Sequence, residues 1–116
     1  RNYDNYILLD AHERIIECIS SNIFFYKLRK NKYNFFSPEL SNTGVDGIMR
    51  QSIIKYMKKK KINIIEKDIK KHHIVEFDGA FICNSVSGIQ FIKNIHKQTY
   101  QHSKNLELIL DRFIYE

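Results

Sequence analysis

The stretch that most constrains the fold is Ser37 to Gln51, SPELSNTGVDGIMRQ, in which a glycine-bearing loop leads directly into an amphipathic helix. Gly44 and Gly47 allow tight backbone geometry that a side chain would obstruct. A helix that begins near Asp46 leaves its first N–H groups without partners, so they can bind an anion such as a phosphate. The same residues fit an ordinary helix entry in which Asp46 or Thr43 caps the first turn. The stretch alone leaves both interpretations open.

Chain size and composition indicate one globular domain. The 116 residues are 43% hydrophobic, and eight Phe and seven Tyr supply apolar surface for a core. The sequence contains no apolar run long enough to span a bilayer and no signal-peptide pattern, so we expect no membrane partner. Cys18 and Cys83 lie within apolar runs rather than in a paired framework, which favours a reducing cytoplasm.

The charge of the chain raises the question of a nucleic-acid partner. The net charge is +6, and Lys58 to Lys61 form the densest basic cluster. Clustered lysines can neutralise phosphates, but Lys is frequent throughout this chain and the aromatic residues are not interleaved with basic ones. The cluster fits the solvated C-terminal end of a helix. We therefore expect no nucleic-acid partner, and a non-catalytic basic binding module remains a further alternative.

Short runs of β-branched and aromatic residues in the first third predict an antiparallel meander. The predicted strands are Tyr6–Asp10, Ile15–Ser20, Asn22–Leu28 and Tyr33–Phe36, with a hairpin tip at Arg29–Lys32. Glu17 stands between Ile16 and Cys18 in one of these runs. A carboxylate that faces inward there needs a partner, whereas strand alternation equally allows it to face solvent.

The remainder of the chain alternates between helices and strands. A helix is predicted from about Gly47 to Lys60, because apolar residues recur along one face. The elements after it are a strand at Ile62–Lys67, a short helix or turn at Ile69–Glu76, a buried strand at Gly79–Cys83, a strand at Ile89–Ile95 and a helix from about Ser103. The histidines lack the spaced partners of a zinc site, so no metal is expected. With no repeat or linker, the pattern predicts a single α/β unit.

Three segments, in this order, carry a resemblance to a known family. They are IIECISSNIFF (Ile15 to Phe25), SPELSNTGVDGIMRQ, and FDGAFICNSVSGIQFI (Phe77 to Ile92). Together they resemble the class IV (fold type IV) pyridoxal-phosphate-dependent aminotransferases, over nearly the whole chain. The resemblance implies an α/β fold with a mixed or antiparallel sheet and packed helices. It also implies pyridoxal 5'-phosphate as the cofactor.

Within that family, two sequences look most like the branch that cleaves 4-amino-4-deoxychorismate into pyruvate and 4-aminobenzoate for folate biosynthesis. They are Gly-Val-x-Gly-Ile-Met-Arg-Gln, from Gly44 to Gln51, and Ile-Cys-Asn-Ser, from Ile82 to Ser85. Branched-chain and D-amino-acid aminotransferases usually carry Thr where this chain has Met49. The resemblance therefore implies a lyase, with a class IV aminotransferase as the alternative.

The resemblance also implies a role for individual residues around the cofactor. Glu17 matches the carboxylate that contacts the pyridine nitrogen, and Val45 matches a residue that packs on the ring face. Ile48 and Met49 match the positions whose backbone N–H groups bind the cofactor phosphate. Ser85 matches a hydroxyl ligand of the same phosphate. The inward orientation of Glu17 is thus favoured by the resemblance rather than by its spacing.

The substrate and the catalytic lysine are the remaining implications. Val86 and Ser87 match the turn that faces a substrate carboxylate. In the family, the lysine that binds the cofactor covalently stands after a glycine and lies upstream of the position of Arg1, and no lysine of this chain has that context. We therefore expect residues 1–116 to be the C-terminal cofactor-binding portion of a longer enzyme, with no catalytic residue of its own. The family's whole enzymes are homodimers, which is the partner expected here.

Overall fold

The strand Asn22–Arg29 is the centre of a five-stranded mixed sheet in the computed structural model, which describes residues 7–9, 14–18, 22–39, 47–84, 88–92, 94–95, 98–99 and 104–115. In chain order the elements are β1 (Ile7–Leu9), β2 (Arg14–Cys18), β3 (Asn22–Arg29), β4 (Lys32–Pro38), α1 (Ile48–Lys59), β5 (Asn63–Lys67), β6 (Ile69–Lys70), a 3₁₀ helix (Lys71–Glu76), β7 (Gly79–Asn84), β8 (Gly88–Ile92), β9 (Asn94–Ile95), β10 (Gln98–Thr99) and α2 (Lys104–Tyr115). The expected mixed α/β fold is confirmed.

The strand order of the main sheet is β5-β4-β3-β7-β8. Strand β3 pairs antiparallel with β4 on one side and with β7 on the other. Strands β4 and β5 are parallel, and α1 connects them, as parallel neighbours require a crossover. A second sheet has the order β1-β2-β6, and β9 pairs with β10 in a two-stranded ribbon.

Both faces of β3 are buried from Asn22 to Tyr26, which explains the continuous apolar sequence that follows Asn22. Ile23 and Phe25 belong to a core cluster that includes Ile69 of β6 and residues of the 3₁₀ segment. Phe24 and Tyr26, which point to the opposite face, belong to a second cluster that includes side chains of α1 and α2. The sheet therefore lies between the two long helices and the β6–3₁₀ segment.

Two chain reversals depend on left-handed backbone conformations at residues other than glycine. Lys30 and Asn31 have φ of 53° and 63°, so the β3–β4 hairpin has a two-residue turn of the primed type, at the tip predicted from Arg29–Lys32. Helix α1 ends in a Schellman motif, in which Lys61 has the left-handed φ of 59°. There the N–H of Ile62 donates to the carbonyl of Met57 (2.8 Å), and that of Lys61 donates to Lys58 (3.1 Å).

The first four strands do not form one antiparallel meander, so this prediction is wrong. Strands β1 and β2 pair with each other, but β2 continues to β6 and not to β3. Both edges of β3 are already occupied by β4 and β7, so β2 packs near β3 without joining its ladder. The predicted strand Ile89–Ile95 is likewise divided, because β8 ends at Ile92 and Asn94–Ile95 pairs with β10.

The remaining predicted elements are found within one or two residues of their expected bounds. Helix α1 buries Ile53 and Met57, as its periodicity predicts, while Met49 and Tyr56 are partly buried against the same cluster. The cluster Lys58–Lys61 lies exposed at the C-terminal end of α1, where cations interact favourably with the helix dipole. Ser103, the expected start of the last helix, lies outside the described residues.

Candidate functional site

Strand directions bring four chain segments to one end of the main sheet. Because β3 is antiparallel to both β4 and β7, the start of β3 at Asn22 lies beside the ends of β4 at Pro38 and of β7 at Asn84. The start of α1 at Gly47 contacts Asn22, so it lies at the same end. We call this meeting of Asn22, Pro38, Gly47 and Asn84 the site edge.

The first turn of α1 presents backbone N–H groups at the site edge. Gly47 is the N-cap residue, and the first intrahelical bond runs from the N–H of Gln51 to the Gly47 carbonyl (3.1 Å). The N–H groups of Ile48 and Met49 therefore have no acceptor within the helix. The described first turn contains no acidic residue, and the Ile48 side chain is 76% exposed. This arrangement suits an anion, since the N-terminal end of a helix carries partial positive charge.

Asn22 fixes the position of that first turn. Its side-chain Oδ1 accepts a hydrogen bond from the Gly47 N–H (3.2 Å), and Asn22 is 8% exposed. A Cβ atom at Gly47 would lie 2.7 Å from the same oxygen, which is closer than real contacts allow. Gly47 has φ of −67°, which any residue can adopt, so the close approach of Asn22 is what requires glycine here.

Arg50 holds the first turn of α1 from the other side. It is only 4% exposed, and its Nε donates to Ser37 Oγ (3.1 Å) at the end of β4. Its Nη2 donates to the Pro38 carbonyl (3.3 Å) and to Glu66 Oε2 on β5 (2.8 Å). One buried guanidinium thus joins the helix to two parallel strands through charge-assisted hydrogen bonds.

Cys83 of β7 also lies close to this arrangement. It is 1% exposed with a free thiol, and it pairs with Asn22 across the β3–β7 ladder. Burial raises the pKa of the Cys83 thiol to about 12, against an opposing effect of the Arg50 charge. A thiol held neutral in this way is an inert packing group and not a nucleophile.

The structure describes only some of the site residues that were predicted from the sequence. Glu17 lies on β2, opposite Leu8 of β1, but its side chain is outside the described residues, so its orientation stays a prediction. Ile48 and Met49 lie in the first turn of α1. The remaining predicted site residues lie outside the described residues; they are Val45, Ser85, Val86 and Ser87. The two candidate caps, Thr43 and Asp46, also lie outside them. Asn84 and Gly88, which flank residues 85–87, pair with each other at the β7–β8 end of the site edge.

Asn22 and Arg50 were not anticipated as part of the site. Asn22 opens an apolar strand, and the position of a polar residue at the start of such a strand is a weak signal that does not identify its partner. Arg50 occurs on the helix face that also carries Ile53 and Ile54, and a cation on an apolar face is the signal that indicates a buried ion pair.

Two features are absent from the described residues: a cluster of metal ligands and a membrane-spanning helix. Within the described part of the chain, no three side chains of His, Cys, Asp or Glu are grouped so that they could hold a metal ion. Neither α1 nor α2 has the length and hydrophobicity needed to cross a bilayer.

Comparison with known proteins gives consistent sequence and fold matches. The sequence model of the family "Amino-transferase class IV" matches residues 1–95. A probable branched-chain-amino-acid aminotransferase of Rickettsia felis is 32% identical over 93 residues, which are 80% of this chain and 30% of that protein. An aminodeoxychorismate lyase of Vibrio harveyi is 26% identical over 89 residues, which are 77% of this chain and 31% of that protein. The chain thus spans about a third of the length of these curated relatives.

A solved structure shows the same fold. The crystal structure of 4-amino-4-deoxychorismate lyase from Pseudomonas aeruginosa matches with a TM-score of 0.85 at 22% sequence identity. The match covers 98% of this chain and 41% of that chain. At this identity the likeness concerns the fold, and it extends over almost every residue of the present chain.

Proposed function

The chain belongs to the class IV aminotransferase family, and from this membership we propose that it is the C-terminal cofactor-binding portion of an aminodeoxychorismate lyase. The family consists of enzymes that depend on pyridoxal 5'-phosphate. The proposed reaction is the release of pyruvate from 4-amino-4-deoxychorismate to give 4-aminobenzoate. The proposed setting is a cytoplasmic homodimer of the whole enzyme.

The observation that carries the cofactor proposal is the first turn of α1 at the site edge. A doubly charged phosphate needs several donors in one place and no competing carboxylate. The N–H groups of Ile48 and Met49, which have no acceptor within the helix, and the glycine at the N-cap meet this need among the described residues. The residues present therefore fit the phosphate end of the cofactor.

Each of the proposed site residues would make a different contact with the cofactor. Ile48 and Met49 would donate their backbone N–H groups to the phosphate, and Ser85 would add its hydroxyl. Val45 would pack on the ring face. Glu17 would hold a proton on the ring nitrogen through a carboxylate–pyridinium contact, because a nearby anion favours the protonated ring. Pyridoxal 5'-phosphate, when bound, supplies an electron sink for the substrate carbon that loses its proton.

Substrate binding and proton movement require further groups. Val86 and Ser87 would orient the substrate carboxylate through the turn between β7 and β8. The proton on the amine-bearing carbon must be moved by a positioned base. We assign that step to a lysine outside residues 1–116, since no lysine here has the family's glycine–lysine context.

The choice of lyase over aminotransferase rests on sequence. Met49 stands where branched-chain and D-amino-acid aminotransferases usually carry Thr, and the Ile82–Ser85 sequence also resembles the lyase branch. The Rickettsia felis relative, at 32% identity, favours a branched-chain aminotransferase as the second candidate. Both candidates share the fold, the cofactor and the phosphate site, so they differ only in substrate and reaction.

A substrate comparison with the whole enzyme separates the two candidates. The enzyme is incubated with 4-amino-4-deoxychorismate, and pyruvate and 4-aminobenzoate are measured. In parallel it is incubated with branched-chain or D-amino acids and 2-oxoglutarate, and glutamate is measured. We expect pyruvate and 4-aminobenzoate in equal amounts. Amino transfer without lyase turnover would establish the second candidate instead.

The phosphate contacts are tested by two substitutions in the same enzyme. Ser85→Ala is expected to weaken cofactor affinity by about 0.5–1.5 kcal/mol, or up to about 3 if the phosphate charge strengthens the bond. Met49→Ala is expected to have a much smaller effect, because only its backbone N–H is assigned to the phosphate. Equal losses in a cofactor titration would contradict this assignment.

A further inference from the structure

We propose that Asn22 is a positioning residue for the cofactor phosphate, acting through Gly47 at the start of α1. This inference rests on the proposed function, because it concerns how the same phosphate site is held in shape. Asn22 itself touches Gly47 and not the ligand. Its function is to fix the first turn so that the following N–H groups converge on one position.

The contact between Asn22 and Gly47 restricts the helix start in two ways. The hydrogen bond of 3.2 Å fixes the direction of the Gly47 N–H, and the Oδ1 atom occupies the space that a Cβ at Gly47 would need. Because Asn22 is 8% exposed and begins the central strand, it moves little relative to the sheet. The first turn of α1 is therefore held in position relative to the central strand of the main sheet.

The neutrality of the Asn22 amide matters as much as its position. Oδ1 accepts the N–H of the N-cap residue, while the N–H groups of Ile48 and Met49 have no acceptor within the helix, since they precede the first intrahelical bond. A carboxylate here would also accept the Gly47 N–H, but its charge would repel a phosphate. An amide therefore positions the helix start without opposing anion binding.

Asn22 also relates the helix start to the strand that leads to residues 85–87. It pairs with Cys83 in the β3–β7 ladder, one residue before Asn84 at the end of β7. The same residue thus contacts α1 through its side chain and β7 through its backbone. The start of α1 and the end of β7 at Asn84 are therefore both held in position relative to Asn22.

The test compares two ligands that differ only in the phosphate. Affinities of the cofactor-free whole enzyme for pyridoxal 5'-phosphate and for pyridoxal are measured by titration. We expect Asn22→Ala to weaken pyridoxal 5'-phosphate about three- to tenfold, which corresponds to one hydrogen-bond contribution, and to leave pyridoxal within about twofold. A residue that only stabilises the fold would weaken both ligands equally, and that result would overturn the proposal.

Asn34→Ala is the matched control. Asn34 lies on the neighbouring strand β4 and accepts an exposed side-chain hydrogen bond from Asn63 (2.7 Å), so its substitution also removes one asparagine hydrogen bond but away from the site edge. We expect this variant to keep the wild-type ratio of the two affinities. A shift of that ratio in Asn34→Ala as large as in Asn22→Ala would show that the effect is not specific to the α1 start.

Gly47→Ala tests the same contact from the helix side and replaces Asn22→Ala should the latter fail to fold. The added methyl displaces the Asn22 amide, so the same phosphate-selective loss is expected. In the double variant the methyl meets no amide, and the combined loss should be smaller than the product of the two single losses. Full phosphate preference in Gly47→Ala would contradict the inference. A wild-type enzyme that binds both ligands equally would instead contradict the proposed phosphate site itself.

Discussion

Removal of the charge on Glu66 is the sharpest test of how the first turn of α1 is held. Arg50 lies behind this turn with a side chain that is 5% exposed, and its Nη2 donates to Glu66 Oε2 at 2.8 Å. Glu66→Gln keeps an oxygen that can accept this bond but removes the negative charge that Glu66 places beside the buried guanidinium. The substitution therefore isolates the charge of the pair from its hydrogen bond.

The magnitude follows from the unequal burial of the two partners. Loss of one partner from a fully buried pair costs about 3–5 kcal/mol, whereas an exposed pair contributes about 0–1 kcal/mol. The Glu66 side chain is 46% exposed, so solvent already screens much of its charge. The acceptor oxygens at Ser37 and Pro38 remain. We expect a loss of about 1–2 kcal/mol in the free energy of unfolding, between these limits.

The assay is urea unfolding, with Glu76→Gln as the control. Glu76 forms an ion pair with Lys27 at 4.0 Å in which the two side chains are 53% and 29% exposed, so its loss should cost less than about 0.5 kcal/mol. An unchanged m-value would show that Glu66→Gln altered the stability of the fold and not the compactness of the native or denatured state. If Glu66→Gln cost no more than Glu76→Gln, the charge of Glu66 would not stabilise the buried guanidinium of Arg50 and the reasoning would be refuted.

Three further outcomes are expected. Lys61→Gly should stabilise the fold by about 0.5–1 kcal/mol in urea unfolding, because φ of 59° disfavours a side chain; Lys60→Gly, at φ of −87°, should not stabilise it. The free energy of unfolding should fall as pH rises from about 9 towards 12, because burial raises the pKa of Cys83 from 9.0 to about 12 and favours the neutral thiol in the folded state; Cys83→Ala should reduce this slope, and an unchanged slope would count against the assignment. In the whole enzyme, Glu17→Gln should keep cofactor binding but strongly lower turnover, since the ring nitrogen would lose the ionic partner that we propose for it; undiminished turnover in a stable variant would contradict the assignment of Glu17 to the cofactor.

Local patterns were sufficient to predict most elements of the fold. The apolar run of β3, the hairpin tip at Arg29–Lys32 and the apolar face of α1 each follow from a period or from turn chemistry within a few neighbouring residues. Pairing between strands could not be predicted in the same way. Whether β2 joins β3 or β6 depends on which edges of β3 are already occupied, and that is decided by residues far along the chain.

The candidate site shows the same division. The open helix start follows from the sequence around Gly47, since glycine spacing and helix periodicity are local. The contacts that hold it do not: Asn22 meets Gly47 and Arg50 meets Glu66 only after the sheet has formed. The sequence around a polar residue does not determine whether its side chain faces water or a distant partner. The roles of Asn22 and Arg50 were therefore identified only from the structure.

The pairing of β3 has a consequence for the order in which the molecule assembles. Its pairing with β4 closes a two-residue turn, whereas its pairing with β7 joins segments that are separated in the chain by three strands, α1 and the 3₁₀ helix. Closing the longer loop costs more chain entropy, so we expect the hairpin to form early and β7 to dock late. The site edge needs Asn22, Gly47 and Asn84 together and is complete only after that late step. During refolding, recovery of phosphate binding should therefore lag behind formation of the hairpin.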